Sequence, residues 1–373
     1  MLTVIGTRPE AIKLAPVLME LARRGDVFES VVCSTGQHRE LLDQALATFD
    51  IAVDHDLRVM AADQSLSQVT ARIIDGLDPV FKREMPEVVL VQGDTTTAFG
   101  GALVGYYHRV RVGHVEAGLR TGMKYAPFPE EVNRCLIGRL ADYHFAPTTG
   151  ARAALLAEGI SSSSIHVTGN TVVDALHWVR DRVRSKTPDL APGLAEFVAG
   201  KSLVLVTGHR RESFGPGFED ICRAIRDVAD AQAGVVFVYP VHLNPNVREP
   251  VNRILGGHPR VRLIEPLSYD PFVWLLDKAT LVLTDSGGVQ EEAPCLGKPV
   301  LVMREHTERP EGVEAGNARL VGANRARIVS ALTELLDQPE KREAMSRVNN
   351  PYGDGKAAGR IVDVLADAFG STK

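Results

Sequence analysis

The sequence predicts an α/β protein with two parallel β-sheets, each covered by helices on both faces. Short apolar runs alternate with amphipathic segments almost throughout the 373 residues. Continuous apolar strands separated by helices are typical of parallel sheets that are buried on both sides. The alternation stops at a segment that contains proline and glycine, residues 185–200, and then restarts. We therefore expect two Rossmann-like domains.

The predicted elements follow this alternation in chain order. The first strand set is Leu2–Gly6, Ser30–Ser34, Val88–Gln92, Val110–Val115 and Tyr143–Pro147, with helices Ala11–Arg24, Arg39–Phe49, Leu66–Arg83 and Thr97–Tyr107 between them. A helix over Val172–Arg184 leads to the second strand set: Leu203–Thr207, Val235–Val241, Val261–Ile264, Leu281–Asp285 and Pro299–Met303. We place the domains at 1–170 and 171–352, and a last helix, Ala357–Phe369, in a C-terminal segment 353–373.

Composition excludes several classes of protein. The chain is 45% hydrophobic and 24% charged with a net charge of −5, and it has no basic tract, so we expect no nucleic-acid partner. The four cysteines are widely spaced without a CxxC pair, which favours reduced thiols over zinc or disulfides. The apolar N-terminal run is typical of a first strand, and no run approaches the roughly 20 residues that span a bilayer. These features predict a cytoplasmic protein without a membrane partner.

The most informative segment, residues 284–311, predicts a nucleotide-sugar pocket. A strand runs into the paired glycines Gly287 and Gly288, and a helix with Glu292 follows. Backbone N–H groups at a helix N-terminus bind phosphate well, and glycine lets a ligand approach them closely. A carboxylate one turn later can accept hydroxyl groups of a sugar or ribose, and Arg304 and Arg309 can neutralise a diphosphate.

Three carboxylates mark the ends of strands or the starts of helices in the first domain: Asp94, Glu116 and Glu130. Each also has an ordinary structural interpretation. Asp94 can be a helix N-cap. Glu116 can be a loop residue paired with Arg120, and Glu130 can form an i,i+4 surface pair with Arg134. Their occurrence together in one half of a domain favours a functional cluster.

Cations and imidazoles follow other strand ends. Arg8 and Lys13 lie at a helix start, where a cation opposes the helix dipole, so Arg8 in particular is predicted to contact an anion. His209 comes directly off the first strand of the second domain and is flanked by arginines, and His242 repeats that placement. Imidazole suits proton transfer near neutral pH.

In this order, the motifs resemble those of the non-hydrolysing UDP-N-acetylglucosamine 2-epimerases. They are GTRPEAIKLAP, QGDTTTA, HVEAGLRTG with PFPEE, TGHRRE, YPVHLNP and TDSGGVQEEAP with ERPE, and they run through nearly the whole chain. The resemblance implies two Rossmann-like domains of the GT-B type, an active site in the interdomain cleft and a C-terminal helix that returns to the first domain. It also implies a homodimer, a UDP-sugar substrate and no metal or other cofactor.

The resemblance also implies roles for individual residues. It implies catalytic roles for Asp94, Glu116, Glu130 and His209. It implies diphosphate contacts by Arg8, Lys13, Ser286, Gly287, Gly288 and Arg309, a ribose contact by Glu292 and a place near the uracil for Phe272. Which carboxylate acts on which face of the sugar stays open.

The chain departs from the family at one position. Many bacterial members carry an activator site for a second UDP-GlcNAc with a motif resembling QHRQ, and here that motif ends in Glu40. The other activator positions correspond to Gln37, Arg72, Arg210 and His242. A carboxylate near a second diphosphate would repel it, so we expect weakened or absent activation by UDP-GlcNAc.

Three alternatives share parts of this pattern. A GT-B glycosyltransferase would share the diphosphate site, but it has no need of three carboxylates plus His209. Hydrolysing epimerases usually carry a kinase-like domain, which we do not expect here. A catalytically inactive UDP-sugar sensor would not need an intact acidic set.

Overall fold

The chain forms two compact units, each built on one parallel sheet. A computed structural model describes residues 1–36, 39–61, 63–348 and 350–369, with the side chains of 39–41 left out. One unit comprises Met1–Ala175 and Tyr352–Lys373, and the other comprises Leu176–Pro351. The chain passes from the first to the second within a single helix, Thr171–Ser185.

The first unit contains a seven-stranded parallel sheet in the order β3-β2-β1-β4-β5-β6-β7. Its strands are β1 Leu2–Ile5, β2 Val31–Ser34, β3 His55–Asp56, β4 Val88–Gln92, β5 Arg111–Val115, β6 Tyr143–Ala146 and β7 Ile165–Val167. Its helices are α1 Arg8–Arg23, α2 Arg39–Thr48, α3 Leu66–Glu84, α4 Thr96–Tyr107, α5 Glu130–Leu140 and α6 Thr149–Ala157, and α7 is Thr171–Ser185. The strand order reverses between β1 and β4, and ligands of such sheets bind at the carboxyl ends of the strands beside that reversal.

The second unit contains a six-stranded parallel sheet in the order β10-β9-β8-β11-β12-β13. Its strands are β8 Ser202–Thr207, β9 Val235–Pro240, β10 Val261–Ile264, β11 Leu281–Thr284, β12 Val300–Val302 and β13 Ala318–Leu320. Its helices are α8 Leu194–Val198, α9 Pro216–Ala231, α10 Pro245–Leu255, α11 Tyr269–Lys278, α12 Gly287–Cys295, α13 Pro310–Ala315, α14 Arg325–Asp337 and α15 Pro339–Ser346. The reversal lies between β8 and β11.

The last helix, α16 Ala357–Phe369, belongs to the first unit and packs against α1. Two Asp174 oxygens accept hydrogen bonds from the backbone N–H groups of Ala357 (3.2 Å) and Ala358 (2.9 Å), which lie in its first turn. Arg24 and Asp363 form an ion pair 2.6 Å long at the side of the same helix. The first unit is therefore assembled from both ends of the sequence.

Helix α4 lies unusually close to strand β4. A Cβ atom on Gly101 would lie 2.9 Å from Val91 Cγ1, and one on Gly105 would lie 2.8 Å from Val89 Cγ1. Both distances are shorter than real Cβ contacts, so only glycine permits this packing. The close packing fixes the turn between β4 and α4, which carries Asp94.

The strands predicted from the sequence are confirmed to within one or two residues at each end. Three observed strands were not predicted: β3, β7 and β13. Each has only two or three residues, too few for an apolar run to stand out. Within the described ranges, no helix combines the length and the apolar character needed to cross a membrane.

Candidate active site

At the carboxyl edge of the first sheet, Asp94 pairs with Arg134. The Nε and Nη2 atoms of Arg134 both lie 2.7 Å from Asp94 Oδ2, and Nη1 lies 3.0 Å from Glu131 Oε2. Arg134 is buried, so this is an internal ion-pair network. The surface pair between Glu130 and Arg134 that the sequence allowed is not the arrangement found, because the guanidinium faces the turn after β4.

Glu116 pairs with Lys13, not with Arg120. Glu116 directly follows β5 with a φ of 64°, in the left-handed region that few non-glycine residues adopt. Its carboxylate forms a buried ion pair with the Lys13 ammonium. Arg120 instead binds Glu158 with two hydrogen bonds of 2.7 and 2.9 Å. The pairing of Glu116 with Arg120 considered from the sequence is therefore wrong.

The turn after β4 is held beside Glu116. The backbone N–H of Gly93 donates to Val115 O at 2.9 Å, and His114 Nε2 donates to Gly93 O at 2.7 Å. A Cβ atom on Gly93 would lie 4.0 Å from Glu116 Oε1. Burial lowers the pKa of His114 to about 3, so its imidazole is neutral near pH 7. These contacts bring the turn that carries Asp94 close to Glu116.

Glu130 is the first residue of α5 and has one unsatisfied oxygen. Within the described part of the chain, its buried Oε2 atom has no hydrogen-bond partner. The next residue, Glu131, instead accepts hydrogen bonds from the backbone N–H groups of Thr121 (3.0 and 3.1 Å) and Gly122 (2.9 Å). A buried acceptor without a partner costs about 1–3 kcal/mol, which fits a group that acts on a ligand.

In the second unit, Asp285 organises the turn that carries His209. Its buried Oδ2 atom accepts hydrogen bonds from the backbone N–H groups of His209 (2.7 Å) and Arg210 (2.8 Å). His209 Nδ1 lies 3.5 Å from the other oxygen, Oδ1. No role for Asp285 was predicted from the sequence. Its place at the carboxyl end of β11, in the strand-to-glycine turn, was the signal that could have found it.

The His209 ring stacks on the His242 ring. Their centroids are 5.3 Å apart and the ring planes differ by 18°. Burial lowers the pKa of His209, while the neighbouring Asp285 opposes that shift. The ring is therefore predominantly neutral near pH 7 and can accept or relay a proton.

Two arginines flank the N-terminus of α12. Ser286 is the N-cap and Gly287 is the first helical residue. A Cβ atom on Gly287 would lie 3.8 Å from Arg309 Nη2 and 3.9 Å from Arg210 Nη2. Arg309 also forms a buried ion pair with Glu291. Backbone N–H groups, the helix dipole and two guanidinium groups lie close together here, beside the Glu308 carboxylate, whose Oε1 atom would lie 3.3 Å from the same Cβ. Such donors are suited to holding an anion such as a diphosphate.

Glu292 lies one turn further along α12, buried, and accepts a hydrogen bond from the Tyr269 hydroxyl at 2.7 Å. Tyr269 and Phe272 are three residues apart on α11, so they lie on the same side of that helix. Gly288 is the second residue of α12, and Arg8 is the first residue of α1. Tyr269 was missed from the sequence, although its spacing from Phe272 could have indicated it.

The positions assigned to an activator site are only partly described. Gln37 lies outside the described residues, as does the side chain of Glu40. Arg72 is exposed on α3, and its Nη1 atom lies 3.4 Å from Val59 O. Arg210 lies beside the N-terminus of α12, and the His242 ring stacks on the His209 ring. No group of three or more metal-ligating side chains is arranged to hold a metal ion among the described residues.

Comparison with known proteins identifies the family. The family model for UDP-N-acetylglucosamine 2-epimerase matches residues 20–366. This chain belongs to that family. The UDP-N-acetylglucosamine 2-epimerase of Escherichia coli K12 is 56% identical over 367 residues, which are 98% of this chain and 97% of that protein. The family resemblance found in the sequence is confirmed.

Solved structures agree with this assignment. A Listeria monocytogenes protein superposes with a TM-score of 0.92 and 47% identity, covering all of this chain and 96% of the other. The Neisseria meningitidis UDP-GlcNAc 2-epimerase, solved with bound UDP-GlcNAc, gives a TM-score of 0.89 and 46% identity over 98% of this chain and 99% of the other. The α/β class and GT-B type fold expected from the sequence are confirmed.

Proposed function

We propose that the protein catalyses reversible epimerisation at C2 of UDP-N-acetylglucosamine to UDP-N-acetylmannosamine. One observation carries the proposal: a single chain contains an ion-paired carboxylate cluster and an arginine-flanked helix N-terminus, each at the carboxyl edge of a sheet. The first is suited to proton transfer and the second to binding a diphosphate. Family membership supports the same reaction.

Elimination and re-addition explain why both sets of residues are required. The C2 proton is not next to a carbonyl group, so it cannot be removed easily from the intact sugar. When the C1–O bond breaks, its electron pair leaves with UDP and C1 becomes cation-like, which makes C2–H acidic. A base then takes the proton, and the C2–H electrons form the C1=C2 bond of 2-acetamidoglucal. Return of a proton to the opposite face, with attack of the UDP oxygen on C1, gives the epimer.

We assign the binding of departing UDP mainly to the second unit. Ser286, Gly287, Gly288 and Arg309 bind the diphosphate, Glu292 binds the ribose and Phe272 lies near the uracil. Preorganised donors of this kind stabilise charge that develops in the transition state. We assign further diphosphate contacts to Arg8 and Lys13. Because Lys13 already pairs with Glu116, it would connect the anion to the proton-transferring group.

We assign proton transfer to Asp94, Glu116 and Glu130, with His209 near the diphosphate or in proton relay. Three carboxylates near one sheet edge repel each other, and the cations Lys13 and Arg134 reduce that repulsion. Two faces of the sugar require at least two groups that handle protons. Three carboxylates and an imidazole meet that requirement.

The proposal is tested by incubating the protein with UDP-GlcNAc in D2O without metal or acceptor and following proton NMR. We expect UDP-ManNAc to appear with deuterium at C2. Unchanged UDP-GlcNAc, together with saturable UDP binding, would contradict the proposal. Turnover that requires an acceptor sugar would favour the glycosyltransferase alternative.

We further propose that Glu40 weakens activation by a second UDP-GlcNAc, because its carboxylate repels a second diphosphate. Initial rates with UDP-ManNAc alone should then be hyperbolic, and Glu40→Gln should make traces of UDP-GlcNAc stimulate the reaction. A strict requirement of the unmodified protein for trace UDP-GlcNAc would contradict this.

We also propose a cytoplasmic homodimer that supplies precursors for bacterial polysaccharides. Sedimentation equilibrium tests the dimer, and a single species with the 40.5 kDa mass of one chain would contradict it.

A further inference from the structure

Glu10 is a fully buried carboxylate in the turn between β1 and α1. Its Oε2 atom accepts hydrogen bonds from Thr7 N (2.7 Å), Thr7 Oγ1 (2.7 Å) and Gly6 N (3.1 Å). A glutamate at the third position of a helix commonly accepts from the N-cap backbone in this way. Capping of α1 therefore explains one of its two oxygens.

The other oxygen reaches a second turn of the same sheet edge. Thr95 Oγ1 donates to Glu10 Oε1 at 2.7 Å, across 85 positions of sequence. The same hydroxyl accepts from Ala98 N at 3.0 Å and so caps α4. Thr95 directly follows Asp94. One carboxylate thus connects the turn that leads to Arg8 with the turn that carries Asp94.

The surroundings leave these two turns little freedom. A Cβ atom on Gly6 would lie only 2.1 Å from Thr97 Oγ1 and 2.5 Å from Thr35 Oγ1, so the backbone after β1 is pressed against neighbouring turns. The hydroxyl oxygens of Thr35 and Thr97 are themselves 2.9 Å apart. Within such packing, the Glu10 carboxylate can bridge the turns without rearrangement.

Helix α3 shows what capping alone requires. There Gln68 accepts from Ser65 N at 2.8 Å, and both residues are exposed. A neutral amide at the surface therefore caps a helix in this same chain. At Glu10, burial raises the carboxyl pKa to about 7 despite four hydrogen bonds, so a buried acid is the costlier choice.

We propose that Glu10 is a positioning residue for the epimerisation. Through Thr95 it fixes Arg8 and Asp94 relative to each other, and it does not touch the substrate. The inference rests on the proposed function, because it assigns a purpose to the alignment of two residues that act in that reaction. Displacements of 1 Å in an active site can cost up to about 100-fold in rate.

Glu10→Gln separates positioning from capping. The amide oxygen can still accept from Thr7 and Gly6, so α1 remains capped. The amide nitrogen cannot accept the Thr95 hydroxyl proton and can only donate to the Thr95 oxygen, so the bond to the second turn becomes a weaker one of opposite direction. Gln68→Glu is the reciprocal control on α3, where only capping is involved. Thr95→Val removes the hydroxyl, and with it both the contact with Glu10 and the cap of α4, whereas Thr95→Ser retains both.

The experiment measures kcat and KM for C2 deuterium incorporation from D2O, the Kd for UDP and the melting temperature of each variant. We expect Thr95→Val to lower kcat by about 10- to 100-fold and Glu10→Gln to lower it less, with smaller changes in KM and in the Kd for UDP. Thr95→Ser and Gln68→Glu should stay within about twofold of the unmodified protein. Glu10→Gln combined with Thr95→Val should have the same kcat as Thr95→Val alone, because the hydroxyl that Glu10 contacts is already absent.

An unchanged kcat for Thr95→Val overturns the inference, as does strict additivity of its effect with that of Glu10→Gln. If Glu10→Gln does not fold, the comparison of Thr95→Val with Thr95→Ser decides, and equal rates for those two overturn it. Failure of the unmodified protein to incorporate deuterium contradicts the proposed function itself and is seen in the same assay.

Discussion

The carboxyl edges of the two sheets present the same topology but different chemistry. In the first unit, charged side chains pair with each other: Lys13 with Glu116 and Arg134 with Asp94 and Glu131. In the second unit, charged side chains also pair, as Arg309 does with Glu291, but backbone amides make contacts there as well. Asp285 accepts hydrogen bonds from two of these amides, and the first N–H groups of α12 have no carbonyl group of their own helix as a partner.

The difference separates two tasks. A proton acceptor must be a side chain, and its environment has to keep several carboxylates close together. An anion site can be built from backbone N–H groups and a helix dipole, which need no ionisable group of their own. On the proposed assignment, one architecture supports proton transfer in one unit and diphosphate binding in the other.

Loss of a carboxylate should give the largest effect. Glu116→Gln should lower C2 deuterium incorporation by about 100- to 10,000-fold, the usual contribution of a general base, while UDP binding by calorimetry changes little. Glu158→Gln is the matched control, since its carboxylate pairs with Arg120 in the same unit. Equal rates for Glu116→Gln and the control would break the assignment of proton transfer to the first unit.

Arg134→Met should destabilise the first unit by roughly 3–5 kcal/mol, because it leaves the buried Glu131 and the half-buried Asp94 without a counter-charge. Urea unfolding measures the loss in free energy of unfolding, and native-state hydrogen exchange of the α5 amides locates that loss in the first unit. The exposed Arg139, on the same helix, provides Arg139→Met as a control. A loss of only about 0.5 kcal/mol, the value of a surface i,i+4 pair, would instead favour a surface pair between Arg134 and Glu130.

The free energy of unfolding should carry a pH-dependent contribution from Glu10. Burial raises its pKa from 4.5 to about 7 in the folded protein, so between these values the folded state binds a proton that the unfolded state has lost. Stability from this group is complete below about pH 4.5 and falls as pH rises to about 7, by at most about 3 kcal/mol. The difference between the unmodified protein and Glu10→Gln should therefore decline over this range, and a flat or rising difference would contradict the raised pKa.

Arg309→Met should weaken UDP binding by about 10- to 100-fold, the value of one charge-assisted hydrogen bond in a binding site. The exposed Arg325, which pairs with Asp227, gives the control Arg325→Met. Since Arg309 also pairs with Glu291, the double variant with Glu291→Gln separates ligand binding from the loss of that ion pair. Unchanged UDP affinity in Arg309→Met would contradict the assignment of the diphosphate site to the second unit.

The two regions also differ in how much of their structure a local sequence pattern can predict. The strand, paired glycines and helix around Gly287 are contiguous, so the local pattern was sufficient to predict an anion site there. The pairings of Lys13 with Glu116 and Arg134 with Asp94 join residues 103 and 40 positions apart. The predicted strand ends place those side chains at the carboxyl edge of the sheet. Tertiary packing alone decides which cation each carboxylate pairs with.

Buried polar residues were hardest to predict. Glu10 stands inside a motif that otherwise indicates an ordinary helix start, and nothing local shows that its second oxygen reaches Thr95. Asp285 likewise appears as a strand-end aspartate until its contacts with the His209 and Arg210 amides are seen. In both cases the information lies in the approach of two turns that are distant in sequence.

The most direct test of the account is one incubation in D2O with UDP-GlcNAc that carries ¹⁸O in the bridge between C1 and the β-phosphorus. We predict UDP-ManNAc with deuterium at C2, and ¹⁸O redistributed between the bridging and non-bridging β-phosphate positions in recovered UDP-sugar, because UDP departs and returns. Deuterium at C2 with the ¹⁸O retained in the bridge would contradict elimination. Conversion without deuterium would contradict proton transfer by the first unit.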